Sequence, residues 1–282
     1  MIKPLKSELV NYTTSSVTYK LSQRFKLAYI VSLYFGERRV EAAEYKRDKL
    51  FYLRKHTEQL SKLKHSCSKI VFVINQVSLH KKEVAKTFRA VKLIRDFEVK
   101  HPDKKVYILV RKNLGMSYAA WDEALKRRCK DVDYAFLIED DYCPVSNNFD
   151  EKFLHYFTKN KKLAYVCQLW LRGFNKWQCE FPQSMNLHAA MSNGLLSVGA
   201  YFSSGGFKIH YGTGYLEGER NQRHFLDPLK DRGYEFRDNG DVYRNYFLNH
   251  PDELKLYGNK DGEDLILPIH EKAAWAAWAN LL

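Results

Sequence analysis

Three carboxylates in a row, Glu139, Asp140 and Asp141, follow an apolar run in the segment YAFLIEDDYCP (134–144). Like charges this close raise one another's pKa unless a cation offsets them. A donor set made only of oxygens suits a hard divalent ion, Mg²⁺ or Mn²⁺. Such an ion keeps several waters and completes its shell with substrate phosphates, so the trio suggests handling of a phosphate-bearing substrate. Taken alone, an EDD stretch is equally a solvated acidic turn. Its place at the end of a buried strand separates the two readings, because open α/β sheets bind ligands beyond the carboxyl ends of their strands.

The elements that must position the trio follow from periodicity. LAYIVSL (27–33), KIVFVIN (69–75), KVYILV (105–110) and YAFLIE (134–139) are strand-length runs rich in Val, Ile, Tyr and Phe, the pattern of strands buried on both faces. Helix-length segments separate them at roughly 37–63, 82–99 and 116–129. In the second, Val84, Phe88, Val91, Ile94 and Phe97 recur at steps of three and four. The order β-α-β-α-β-α-β predicts an α/β fold: a mainly parallel central sheet flanked by helices. The expected organisation is a single domain of two abutting halves, 26–141 and 142–270, with an N-terminal extension over 1–25. In the second half, 147–160 reads as a helix with an Asn cap, 163–171 as a strand, and 194–207 as a strand followed by a glycine turn. Residues 221–236 read as a helix ended by Gly233 and then a short strand. The tail 271–282 places Trp275, Trp278 and Leu282 at steps of three and four. It is an amphipathic helix, either docked on the body or lying in a membrane interface.

The charge of +13 over 282 residues is unevenly spread: residues 1–130 carry 30 basic and 12 acidic side chains, and residues 131–282 carry 16 and 21. A basic half implies an anionic partner. Within it, Asn113 and Gly115 open a helix whose N-terminus can approach an anion, with Arg111 and Lys112 adjacent. Arg38 and Arg39 either reach a diphosphate or are plain helix-surface cations. Asn75 either bonds a base edge or satisfies backbone at a strand end. Hydrophobic residues at 45% and aromatics at 15% suffice for a core, which excludes disorder, collagen and coiled coil. Residues 1–26 lack the apolar stretch of a secretory signal. Five Cys without CxxC spacing make a disulfide framework or thiolate zinc site a poor expectation. The expected location is therefore cytoplasmic, with peripheral contact at a membrane face as the variant. No Walker A, G-x-S-x-G or H-x-x-x-H pattern occurs, so a P-loop ATPase, an esterase elbow and a zinc protease have no support. No helix-turn-helix, zinc-finger or RRM signature marks a specific nucleic-acid binder.

On these residues the chain resembles the GT-A nucleotide-sugar glycosyltransferases (family-2-like) over roughly 26–272. The resemblance runs through SLYFGERR (32–39), where that family grips the nucleoside, and VINQ (73–76), near the base. It continues through RKNLGMSYAAWDEAL (111–125), similar to an N-x-G-x-x-x-A turn formed here by Asn113, Gly115 and Ala119. IEDDYCP resembles the D-x-D segment, with Glu139 in place of the first Asp. It implies metal contact by Asp141, with Glu139 and His270 joining, and Mn²⁺ or Mg²⁺ as the cofactor. It implies donor contacts from Ser32, Tyr34, Arg38, Asn75, Arg111, Asn113, Gly115 and Asp140, and from the glycine turn Gly205–Gly206. The donor would be a UDP- or GDP-type sugar and the acceptor a hydroxyl on a glycan or glycoconjugate. An inverting transfer needs one carboxylate as base; Glu217 and Glu219 fill that slot, with Asp264 in DGED (261–264) as competitor. Trp170, Trp177 and Tyr201 face the acceptor or belong to the core. The rival expectations are a nucleotidyltransferase of similar fold, which normally carries a Gly-rich basic loop after the first strand where this chain has FGERR, and a basic nucleic-acid-binding or nuclease protein.

Overall fold

The computed structural model describes residues 25–37, 43–76, 78–172, 189–212, 215–238 and 266–268. Four parallel strands, β1 (Leu27–Tyr34), β2 (Cys67–Gln76), β3 (Lys105–Lys112) and β4 (Tyr134–Glu139), form where the apolar runs predict them. Between them lie α1 (Ala43–Arg47), α2 (Phe51–Lys62), α3 (Lys81–Lys100) and α4 (Met116–Arg128). The helix expected over 37–63 is interrupted, because Asp48 draws the backbone N–H groups of Leu50 and Phe51 to itself at 3.1 and 2.9 Å before α2 starts.

The chain continues through β5 (Tyr142–Pro144), α5 (Phe149–Lys159), β6 (Leu163–Arg172), β7 (Ala189–Ser197) and α6 (Val198–Ser203). It ends in α7 (Tyr215–His224), α8 (Asp227–Asp231), β8 (Glu235–Asp238) and β9 (Ile266–Pro268). One seven-stranded sheet, ordered β3-β2-β1-β4-β7-β6-β8, runs through both expected halves, and β5 pairs with β9 in a separate ladder. Only β7 opposes its neighbours, so the sheet is mainly parallel, as predicted.

Alternation along the strands divides the core into two layers. Tyr29, Val31, Phe72, Ile74, Phe136 and Ile138 face α2, α3 and α5, while Ala28, Ile30, Val71, Val73, Ala135 and Leu137 face α4. Trp121 and Tyr118 of α4 pack there with Phe225.

Three local expectations need correcting. Asn148 does precede α5, but its φ of 57° is left-handed and its side chain makes no cap bond. The strand expected over 194–207 stops at Ser197, whose Oγ accepts the Ala200 N–H and starts α6 ahead of the glycine turn. The one helix expected from 221 to Gly233 is two: α7 starts at Tyr215 and ends at His224, which places Glu217 and Glu219 inside it and not in a loop before it, and α8 follows over Asp227–Asp231. Gly233, with φ of 77°, ends α8 before β8 as expected. Residues 1–24 of the expected N-terminal extension and residues 271–282, where a tail helix is expected, lie outside the described residues.

Candidate active site at the junction of β1 and β4

The sheet order reverses at β1: β2 and β3 add on one side, and the chain then returns to lay β4 on the other. A crevice at the carboxyl ends of the strands is expected at such a switch point. Ser32 is in register with Glu139, so Tyr34 of β1 and the Asp140–Asp141 turn after β4 meet at that edge. Alternation sends Glu139 to the α4 layer, where burial first, with the Glu139 charge adding to it, holds the Tyr118 and Tyr165 hydroxyls protonated. Asp140 goes to the opposite layer. It is 4% exposed, and its Oδ2 accepts the Tyr34 N–H at 2.8 Å. The middle acid thus ties β1 to β4. Asp141 follows, half-buried, and its charge bears on His56 and Tyr142.

Two buried side chains missed by the sequence reading hold this turn by its backbone. His56 of α2 bonds the Asp140 carbonyl through Nε2 at 2.9 Å and the Tyr29 hydroxyl through Nδ1 at 2.9 Å. A carbonyl only accepts, so Nε2 carries the proton and Nδ1 accepts from Tyr29. Burial lowers the His56 pKa to about 4, so the ring is neutral near pH 7. From the other side, Asn193 of β7 accepts the Glu139 N–H on Oδ1 at 2.7 Å. Pairing of β4 with β7 ends at Leu137↔Gly194, and the Asn193 amide continues where the ladder stops. Asn193 is 1% exposed with a left-handed φ of 52°, and its Nδ2 has no hydrogen-bond partner among the described residues. His56 left one legible trace: it completes a buried stripe with Leu53 and Leu60 at helical steps.

Ser32, Asn75 and Arg111 come together as one network. The Asn75 amide donates to Ser32 Oγ at 2.9 Å and to the Leu33 carbonyl at 3.2 Å, and its oxygen accepts from Arg111 Nη1 at 2.6 Å. Arg111 also donates to Glu123 at 2.9 Å and to the Leu114 carbonyl at 2.7 Å. These polar groups turn toward one another and fix the ends of β1, β2 and β3. Asn113 donates its N–H to the Gln76 carbonyl at 3.0 Å at the same edge. Gly115, with φ of 72°, starts α4 there. Its N–H donates to the Gly212 carbonyl at 2.8 Å, and its carbonyl accepts from Asn221 of α7 at 3.3 Å. Through this joint α7 sits on the N-terminus of α4, which brings Glu217, half-buried over Gly212, to the edge shared with Asn113.

The Gly205–Gly206 turn lies elsewhere. Gly206 packs beside Tyr201 and Asp122, halfway along α4, and not at the edge carrying Glu139 and Asp141. Tyr201 is buried and donates to Asp122 Oδ1 at 2.6 Å, so it belongs to the core and not to an acceptor face. The side chains of Glu219, Trp170 and Trp177 lie outside the described residues, as do Arg38, Asp264 and His270. Pro268 of β9 stands opposite Tyr142, two residues before His270 in sequence.

Among the described residues no three His, Cys, Asp or Glu side chains gather into a metal cage. Glu139 and Asp141 supply two carboxylates at one edge, the number Mg²⁺ uses when substrate phosphates and waters complete its shell. These two residues therefore fit an ion whose shell a substrate completes. Burial raises the thiols of Cys129 and Cys143 to about 12, so neither is a thiolate nucleophile. Among the described residues no helix is long and apolar enough to cross a membrane.

No protein-family model and no curated protein matches the chain. Solved structures that match in shape include a mannosyltransferase from Pyrobaculum calidifontis in complex with GDP-Man and Mn²⁺, at 13% identity and a TM-score of 0.44. That match covers 77% of this chain and 55% of the mannosyltransferase, so the chain spans about half of it. A cytidylyltransferase from Leptospira borgpetersenii matches at 11% identity over 76% of this chain and 75% of its own, with a TM-score of 0.44. Glucosyl-3-phosphoglycerate synthase from Mycobacterium tuberculosis, in complex with Mn²⁺, UDP and glucosyl-3-phosphoglycerate, matches at 10% identity over 78% of this chain and 72% of its own, with a TM-score of 0.45. These likenesses are of shape alone; the functional reading rests on the chain's own residues.

Proposed function

We propose that the chain is a glycosyltransferase that moves a sugar from a UDP- or GDP-type donor to a hydroxyl of a glycan or glycoconjugate, with inversion. The observation that carries this reading is the Glu139–Asp141 turn at the point where the sheet order reverses, below a half with 30 basic and 12 acidic side chains. The diphosphate lies at the carboxyl edge over β1 and β4. A Mn²⁺ or Mg²⁺ ion held by Asp141 and Glu139, with His270 in reach by sequence, supplies charge neutralisation for the leaving diphosphate when bound.

Ser32, Asn75, Arg111 and Asn113 shape the wall that receives the nucleoside. Tyr34 and Asp140 hold the floor between β1 and β4. Glu219 or Glu217 takes the proton from the acceptor hydroxyl as its oxygen bonds the anomeric carbon and the nucleoside diphosphate departs. Asp264 stands as the competing base. Peripheral membrane contact through Trp275 and Trp278 suits an acceptor carried at a membrane face.

The test is a panel of UDP- and GDP-sugars with Mn²⁺, read by calorimetry and by analysis of the released nucleotide. Release of UDP or GDP with sugar transfer supports the reading, and Asp141→Asn should abolish metal-dependent binding while the fold stays intact. Release of pyrophosphate would assign nucleotidyl transfer instead. No binding by the wild-type protein to any member of the panel would refute the reading.

A further inference from the structure

We infer that His56 is a positioning residue for the acidic turn, acting from the core through the main chain of Asp140 and backed by Asn193 on the other side. The inference deepens the proposed function and rests on it for its ligand readout, but the clamp itself is tested without ligand. The peptide groups on either side of the Glu139–Asp140 bond are each held by a fully buried side chain. Asn193 Oδ1 takes the N–H of Glu139 at 2.7 Å, and His56 Nε2–H donates to the carbonyl of Asp140 at 2.9 Å. Neither residue offers its side chain to solvent: His56 is 0% and Asn193 1% exposed.

The arrangement is over-determined in a way that packing alone does not require. His56 sits on the buried stripe of α2, where Leu or Phe would fill the space without bringing polar atoms into the core. A buried imidazole costs free energy unless both nitrogens are bonded. Here both are, and the Tyr29 hydroxyl on Nδ1 fixes the tautomer that leaves Nε2 as the donor. The proton on Nε2 is therefore set by a second buried group and aimed at one carbonyl, that of the residue preceding Asp141. Asp140 is held at two points, since its carboxylate also accepts the Tyr34 N–H. Asn193 adds a left-handed conformation inside a strand, a cost that persists where the surroundings enforce it. The result is a turn with two peptide planes fixed, one by a side chain of α2 and one by a side chain of the neighbouring strand β7, so Glu139 and Asp141 leave it in set directions.

The experiment separates positioning from plain stability by using two amide isosteres of the ring. His56→Gln places its amide N–H near the Nε2 position and keeps the bond to the Asp140 carbonyl. His56→Asn places its amide near Nδ1 and keeps only the Tyr29 side. Each loses one buried hydrogen bond, so the two should melt within a few degrees of each other. Amide hydrogen exchange over 139–142, measured without ligand, should stay near wild type in His56→Gln and rise about tenfold or more in His56→Asn. Affinity for the best UDP- or GDP-sugar with Mn²⁺ should follow the same split. Asn193→Gly, which accepts the φ of 52° and removes only the amide, should also raise exchange at Glu139. Equal exchange in the two His56 variants would overturn the inference, whatever the ligand data show. A wild-type protein that binds no nucleotide sugar, with the exchange split intact, would remove the proposed function and leave the clamp standing.

Discussion

Gly115→Ala probes the joint that sets the N-terminus of α4, and its cost can be worked from the structure. A Cβ at Gly115 would stand 2.7 Å from the Ala119 Cβ, 3.0 Å from Ile209 Cγ2 and 3.3 Å from the His210 carbonyl. Two penalties add. The left-handed φ of 72° costs a non-glycine residue roughly 1–2 kcal/mol, and the overpacking typically costs about 1–3 kcal/mol more. The control is Gly205→Ala, where φ is 84° but a new Cβ meets nothing within 4 Å. That variant should show only the conformational part. With a melting-temperature shift of about 2–4 °C per kcal/mol for a chain of this size, Gly205→Ala should lower the melting temperature by about 2–8 °C. Gly115→Ala should lose about twice that, because the neighbours are a helix turn and a backbone carbonyl that cannot swing aside. Differential scanning calorimetry of both variants at pH 7.5 is the assay. Equal shifts would show that the 209–212 segment yields freely, and the account of α7 being seated on α4 through Gly115 would fail.

Acid stability should report His56: its pKa is near 4 in the folded chain and about 6.5 unfolded, so the unfolded chain takes the proton first as pH falls. Stability is then unaffected above about pH 6.5 and declines between about 6.5 and 4, by about 3–4 kcal/mol in total at ~1.4 kcal/mol per pKa unit. His65, also lowered to about 4 by burial, adds in the same direction; urea unfolding of His56→Gln should show a shallower decline than wild type, and an identical decline would refute the assignment. Arg111→Lys cannot reproduce the fork that reaches Glu123, Asn75 and the Leu114 carbonyl, and should cost about 1–3 kcal/mol in the same assay, where a neutral result would show the network is slack. Glu219→Gln, or failing that Glu217→Gln, should lower turnover ~10²–10⁴-fold with donor affinity near wild type; full activity in both, with loss in Asp264→Asn, would move the base to the DGED segment.

The parallel core was legible because its strands are buried on both faces and so appear as unbroken Val, Ile, Tyr and Phe runs. The acidic turn was legible for the same reason, since it ends one of them. The start of α7 was not, because Gly218 in a polar stretch looks like loop. In the structure a Cβ there would stand 2.6 Å from Met116 Sδ, so glycine serves the approach of α7 to α4 and does not break the helix. The place of Gly205–Gly206 also escaped, because a glycine pair states that the backbone turns and not where. Strand order is a long-range property, and no local pattern announces that β7 runs against β4. His56 and Asn193 were missed because single polar residues among apolar neighbours acquire meaning only once the fold supplies their partners.

The small ladder of β5 with β9 gives the acidic turn a particular place in the order of folding. Tyr142 and Pro268 lie more than a hundred residues apart, whereas β1 and β2 are joined by about forty. Loop-closure entropy grows only as the logarithm of that separation, about 0.6 kcal/mol per doubling, so reaching across the chain costs roughly 1 kcal/mol more than pairing β1 with β2. The return is also small, because three residues on each strand offer few hydrogen bonds, each worth about 1 kcal/mol net. The four-strand parallel core therefore has no need of β9 to form, and β9 can detach without disturbing it. Detachment would remove the partner of the strand that directly follows Asp141 while Asp140 stayed bonded to Tyr34 and His56. The turn is thus tied at Asp140 by two groups of the core, and the segment after it is held by the burial of Cys143 and the packing of Tyr142, with the β9 ladder as its weaker tie.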